Sequence, residues 1–143
     1  MTKVGNIYSL FYATSQGQTL TKKLLLDQKG ILKDNHYDKN IERSVLLTSL
    51  ESYRLASQHT IDMAYGTLGE NILMDYNPYM LTEGTRLKIG DVILEISQLC
   101  TLCIGLSQID TKLPKLLKHD RGIFSKVIVS GSIYEGDDIY ISD

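Results

Sequence analysis

Two glycine–aspartate turns set the tightest limit on what this chain can fold into. Gly90-Asp91 follows the short run Gly84-Thr-Arg-Leu-Lys-Ile and leads into Val92 to Ser97. There Val92, Leu94 and Ile96 alternate with Ile93, Glu95 and Ser97. Period-two patterning on either side of a glycine that tolerates positive φ predicts a hairpin, with strands over 85–89 and 91–98. The arrangement recurs as Gly131-Ser-Ile-Tyr-Glu-Gly136-Asp137-Asp-Ile139, after a turn at Ser130-Gly131. In both, a short strand meets a Gly-Asp reversal.

Other strand signals lie at short spacing. Runs rich in Ile, Val, Leu and Tyr predict strands over Val4–Tyr12, Thr19–Asp27, Arg43–Leu47, Glu70–Met74, Gly122–Val129 and Ile139–Ile141. Thr48-Ser-Leu-Glu51 reads as a capping box opening a helix that fades near His59-Thr60. A short helix or ordered loop is expected from Lys112 to His119 around Pro114. Gln28 to Glu42 has no period and, at about 14 residues, is longer than a bare connection needs. Long ordered loops on compact domains tend to be functional. The expectation is a mainly β fold with one or two short helices: a closed or half-closed β-barrel. At 143 residues it is expected to form one domain over 1–143, long enough to bury roughly 68–70% of its unfolded surface.

A net charge of −2 provides no broad basic field, so neither nucleic acid nor an anionic membrane surface is expected as a partner. No apolar run nears the ~18 residues of a membrane span, and Ile7 to Ala13 is too short for a secretory core. A cytoplasmic location is the expectation. The only two cysteines, Cys100 and Cys103, are then more plausibly reduced and reactive than a structural disulfide.

Those cysteines stand where the 91–98 strand runs out. Zinc needs four ligands, and His36, His59 and His119 are not at finger spacing. A thioredoxin-like pair needs a helix N-terminus after a parallel strand, whereas a hairpin strand precedes these two and Gly105 follows. Two small side chains packing a barrel end is the plain alternative. In the long loop, Asp34, His36 and the following Arg43 combine an acid, an imidazole and a guanidinium. That trio suits an anionic ligand, though it equally suits a loop tied down by aspartate–backbone turns. Asn71 after Gly69-Glu70 offers an amide for a ligand's polar edge, or a satisfied strand entry. Arg121 before Gly122 has the same two readings.

Taken in order, these pieces carry a resemblance. Gly69-Glu-Asn-Ile72, Gly84-Thr-Arg-Leu-Lys-Ile-Gly90-Asp91, Leu94-Glu-Ile-Ser-Gln98, Arg121-Gly-Ile-Phe124 and Gly131-Ser-Ile133 with Gly136-Asp137 resemble the MOSC domain. That family is named after the C-terminal domain of molybdenum cofactor sulfurases. Upstream, Lys33-Asp34-Asn35-His36 is similar to its Gly-Asp-x-His loop, and Arg43-Ser-Val45 to its Arg-Gln-Val strand. The resemblance implies a barrel related to the small barrel domain of pyruvate kinase. It also implies a reactive cysteine that carries sulfur as a persulfide or ligates molybdenum. The family cysteine lies five residues after the strand glutamine, which from Gln98 gives Cys103 as both catalytic residue and metal ligand. Cys100 becomes a resolving thiol, and Asp34, His36, Arg43, Asn71 and Arg121 line the molybdopterin pocket. Lys33 stands where the family loop has glycine, Glu42 and Ser44 replace the residues flanking the arginine, and Leu102 replaces a frequent proline.

The implied function is a stand-alone domain that binds molybdenum cofactor and carries or transfers sulfur through Cys103. With no pyridoxal phosphate expected on this chain, a cysteine desulfurase or a molybdoenzyme would be its sulfur donor or acceptor. Two other classes stay open. One is a molybdenum-dependent reductase of N-hydroxylated bases or amines, whose family members use additional domains or electron-transfer partners. The other is a cofactor-free binding module, for which the substituted loop is the motive.

Overall fold

One long strand, β1 (Thr2–Thr14), serves two structures at once. In the computed structural model, which describes residues 1–101 and 105–142, its first half pairs with the last strand and its second half with the hairpin strand β2 (Gly17–Thr21). After β2 come β3 (Lys23–Asp27), β4 (Gly30–Ile31), β5 (Val45–Ser49), α1 (Leu50–Gln58) and β6 (Ile72–Met74). Then follow β7 (Arg86–Ile89), β8 (Val92–Leu99), α2 (Leu106–Ile109), α3 (Leu113–Leu116), β9 (Ile123–Val129), β10 (Gly131–Tyr134) and β11 (Asp138–Ile141).

Seven strands close into a barrel in the order β1-β6-β5-β9-β8-β7-β11, because β11 pairs back onto β1 with Thr2 opposite Ile141. Closure leaves these strands no open edge. Among the described strands only β5 and β6 pair in parallel, and α1 makes the crossover between them. The alternation seen in the sequence sets the core: Leu87, Ile89, Val92, Leu94 and Ile96 point inward with Leu47, Ile72 and Met74. A small sheet, β10-β3-β4, adds Leu24, Leu26, Ile31 and Ile133 to the same cluster. The opposite faces of β1 and β6 present Phe11 and Leu73 to α1, where Tyr53, Ala56, Leu68 and residues of α2 and α3 form a second cluster.

The two Gly-Asp turns lie against each other. Gly90 has φ +57 and Gly136 φ +89. A Cβ on Gly90 would sit 3.0 Å from Asp137 Oδ2 and 3.1 Å from the Ser132 carbonyl, and one on Gly131 3.0 Å from Asp91 Cβ. Each unit's glycine makes room for the other's aspartate.

The mainly β barrel is as expected, and it is closed. Several boundaries differ for identifiable reasons. The strand expected over Thr19–Asp27 breaks at Lys22, where the chain leaves the β1 hairpin to join the small sheet. Arg43 ends a 3₁₀ turn (Ile41–Arg43), and the strand begins two residues later. Ser49, not Thr48, caps α1, accepting from the Glu51 amide at 3.0 Å, because the Thr48 hydroxyl donates to the Arg121 carbonyl at 2.9 Å. Gly131 opens β10, and α2, too short to show a period, follows Gly105 in left-handed backbone at φ +81. No helix among the described residues is long and apolar enough to cross a membrane.

These turns yield a paired prediction. Gly84 also has positive φ, but nothing lies within 4 Å of a Cβ placed there. Gly84→Ala should cost only the left-handed backbone penalty, about 1–2 kcal/mol. Gly90→Ala should cost about 1–3 kcal/mol more from overpacking, read as the difference between two urea-denaturation free energies.

Candidate functional site

A cavity of about 410 Å³ opens beside the barrel where four stretches of chain meet. The long loop contributes His36, Lys39, Asn40 and Arg43, and the entry to β6 contributes Gly69 and Asn71. The end of β8 contributes Cys100, and the entry to β9 contributes Arg121 and Phe124. Leu46 and Leu68 complete the lining.

Asp34 holds these stretches in register. It is buried beneath the cavity, and its carboxylate accepts four hydrogen bonds. Oδ1 takes the Ala13 amide at 2.7 Å and Asn71 Nδ2 at 3.2 Å. Oδ2 takes the His36 amide at 2.9 Å and lies 3.0 Å from His36 Nδ1. The Asn35 amide donates to the Ala13 carbonyl, and Tyr37 Oη donates to Asp27, so the loop is fastened at both flanks. Its backbone adopts φ +76 at Lys33 to make this turn.

Asn71 borders the cavity, but its amide serves the fold. Oδ1 accepts the Leu46 amide at 2.9 Å, and Nδ2 donates to the Phe11 carbonyl and to Asp34. It thereby bridges β5 and β1 just before β6 begins. Arg43 stands on the 3₁₀ turn, which Ser44 Oγ closes onto the Ile41 carbonyl and Ser97 Oγ ties at the Glu42 carbonyl. The Arg43 guanidinium lies 4.7 Å from the Phe124 ring centre, a cation–π contact that fixes its plane. Arg121 Nε donates to the Leu68 carbonyl at 3.2 Å.

The charge balance follows from this geometry. Burial alone would raise the Asp34 pKa, but hydrogen bonds from the His36 ring and from the Ala13 and His36 amides outweigh it and hold the carboxyl below its usual range. The bond to Asp34 raises the His36 pKa, against the opposing effects of burial, Lys39 and Arg43. The His36 side chain is otherwise largely exposed. Lys39, Arg43 and Arg121, with His36 when protonated, make the cavity rim cationic; among the described residues no acid lines it, and Asp34 beneath has its lone pairs occupied. Such a rim suits a bound anion.

Of the residues singled out from sequence, His36, Arg43, Asn71, Arg121 and Cys100 meet around this cavity, and Asp34 sits under it. Cys100 is 3% exposed, and its amide donates to the Gly122 carbonyl at 2.9 Å. Cys103 lies outside the described residues. Sequence reasoning passed over Lys39, Asn40 and Phe124. Lys39 and Asn40 sit in the long loop already marked as functional in character. Phe124 is one of only two phenylalanines, and its position just after Arg121-Gly was the available signal.

Behind the cavity, Glu70 turns the other way. It is fully buried, with Oε2 accepting Tyr53 Oη at 2.6 Å and the Gly66 amide at 3.0 Å, while Oε1 has no partner among the described residues. Burial raises its pKa despite those two donors. This pair anchors the segment that carries Leu68 and Gly69 to the cavity.

The family model described as MOSC domain matches residues 27–140. No curated protein sequence matches the chain. Among solved structures, the YuaD protein of Bacillus subtilis aligns at TM-score 0.84 and 20% identity, covering 96% of this chain and 95% of that one. YiiM of Escherichia coli aligns at TM-score 0.75 and 16% identity over 96% of this chain and 70% of its own. YiiM of Geobacillus stearothermophilus aligns at 0.68 and 14%, over 98% and 74%.

Two pH-dependent outcomes follow from the buried acids. The stability Asp34 contributes is present above the ordinary carboxylate range and is lost as pH falls through its depressed value. The stability from His36 is present below the ordinary imidazole range and is lost as pH rises through its raised value. Asp34→Ala should therefore lower the His36 pKa in an NMR titration and cost more than about 2 kcal/mol, since the Ala13 and Asn71 donors lose their acceptor. Glu70 has the opposite sign: its raised pKa makes stability fall as pH climbs from the ordinary carboxylate range through the folded value. Glu70→Gln keeps an acceptor for Tyr53 and Gly66, so that slope should vanish from denaturation curves taken across pH.

Proposed function

This chain belongs to the MOSC domain family, and on that premise we propose that it binds molybdenum cofactor in the cationic cavity and carries sulfur through Cys103. The single observation behind this reading is the convergence of His36, Lys39, Arg43 and Arg121 around a cavity that Cys100 also borders.

The residues present fit such a group. A volume of about 410 Å³ falls within the span typical of small-molecule sites, roughly 300–1,000 Å³. Arg43, over the Phe124 ring, offers a guanidinium to a phosphate, with Lys39 and His36 when protonated adding charge. Leu46, Leu68 and Phe124 offer apolar surface to a planar heterocycle. When bound, the cofactor supplies a molybdenum centre for which thiolate and sulfide are soft, well-matched ligands.

The sulfur step belongs to the protein. The Cys103 thiolate attacks the terminal sulfur of a persulfide on a cysteine desulfurase. The donor's S–S bond breaks as the new one forms, the donor cysteine leaves as thiolate, and no external oxidant or reductant is consumed. A cationic rim of this kind would lower the cost of any thiolate brought to it. Cys100 is the resolving thiol: its thiolate displaces hydrosulfide from the Cys103 persulfide, leaving a Cys100–Cys103 disulfide.

Mass spectrometry after incubation with a cysteine desulfurase and cysteine tests the reading. The chain should gain the mass of one sulfur atom, Cys103→Ser should not, and Cys100→Ser should retain the gain longer. An unmodified wild-type chain, or an equal gain in Cys103→Ser, overturns it. Arg43→Ala should weaken retention of the pterin, followed by its fluorescence after oxidation, by roughly tenfold or more, as expected for losing a charge-assisted hydrogen bond of about 1.5–3 kcal/mol. Retention should also decline as pH rises through the elevated His36 pKa, because the imidazole then loses its charge.

A further inference from the structure

The small sheet buries only one of its faces. Leu24, Leu26, Ile31 and Ile133 point into the barrel core. The other face shows Leu25 at 44% exposure and Tyr134 at 48%, with Leu32 at 38% beside them. Between this sheet and the β1–β2 hairpin runs a groove of about 280 Å³. Tyr12, Leu24, Leu25 and Leu32 form its walls, and Lys23 and Lys33 stand at it.

Neither lysine forms an ion pair with a described residue, nor does the adjacent Lys22. The nearby acids are engaged elsewhere or unpaired with them. Asp27 accepts from Tyr37 Oη and the Lys29 amide, Asp34 is saturated, and Glu135 makes no ion pair. Lys23 lies instead over the Tyr134 ring at 5.4 Å, so its charge is held close to the exposed apolar face. Lys33 reaches this groove from left-handed backbone, φ +76, a conformation that glycine adopts freely and lysine does not. The fold would be more stable with glycine there, yet a long cation occupies the position.

We propose that this face docks a partner protein through an acidic segment, with an apolar side chain seated in the groove and flanking carboxylates paired to Lys23 and Lys33. Charge complementarity selects the occupant: uncompensated positive charge borders an apolar slot. The groove, about 280 Å³, has room for an inserted apolar side chain. The surface stands apart from the cationic cavity, and the inference is independent of the sulfur reading.

Fluorescence anisotropy with the whole chain tests this, using the labelled, end-blocked peptide Glu-Leu-Glu-Leu-Glu as the probe. It should bind saturably and weaken as salt is raised, while Lys-Leu-Lys-Leu-Lys should not bind. Lys23→Glu with Lys33→Glu should weaken binding at least tenfold, with folding checked by circular dichroism. Lys33→Gly adds an independent readout: its thermal midpoint should rise while its affinity for the peptide falls. Absence of saturable binding, or equal binding by the charge-reversed variant, overturns the proposal. So does N-acetyl-leucine competing as well as the peptide, which would mark a small-carboxylate site. A concentration-dependent dimer abolished by Lys33→Glu overturns it in favour of a second copy of the chain. Sulfur loading on Cys103 should be unchanged in Lys33→Gly when a persulfide of low molecular weight is the donor.

Discussion

A carboxylate removed from water must find donors for its lone pairs, and Asp34 finds them on three separate pieces of the chain. The Ala13 amide belongs to β1, Asn71 to the entry of β6, and His36 to the loop itself. Burial of one unmatched charge would be prohibitive, so the pieces are obliged to converge. That obligation places the cationic side chains at one cavity. Arg43 is added by the short turn that Ser44 and Ser97 fasten, and Arg121 by its bond to the segment that Glu70 and Tyr53 anchor. Rim positions are therefore consequences of buried polar bonds more than of the rim residues' own contacts.

The same arrangement separates two jobs that the sequence leaves mixed. Asp34 and Asn71 look like ligand-binding residues by type, but their polar atoms are spent within the protein. His36, Lys39 and Arg43 lie within nine positions of Asp34, and all three line the cavity. A positioning acid beneath a cationic rim has its lone pairs taken up within the protein while it raises the pKa of the imidazole beside it.

Much of the barrel was legible because its causes are local. Alternation in Val92–Ile96 and the left-handed glycines at 90 and 136 act over a few residues, and they fixed the β7–β8 hairpin and the Gly-Asp turn between β10 and β11, although those two strands enter different sheets. What escaped depends on distant partners. The helix cap moved from Thr48 to Ser49 because Arg121, far along the chain, claims the threonine hydroxyl. The strand after Ile41 starts late because Ser97 and Ser44 stabilise a turn there. Charged and aromatic residue types marked His36, Arg43 and Arg121 as site members, whereas Lys39 and Phe124 became recognisable only through the loop's path and a ring beneath a guanidinium.

The pairing of β1 with β11 has an implication for how such a molecule is made. During synthesis β1 emerges from the ribosome and must wait, its pairing along Thr2 to Gly5 incomplete, until Ile139–Ile141 has been translated. Long-range closures of this kind are slow steps, and an exposed β-edge is a template for intermolecular aggregation. Lys3, which in the finished barrel reaches Asp138 at 3.1 Å, gives that waiting strand a charge that discourages such encounters.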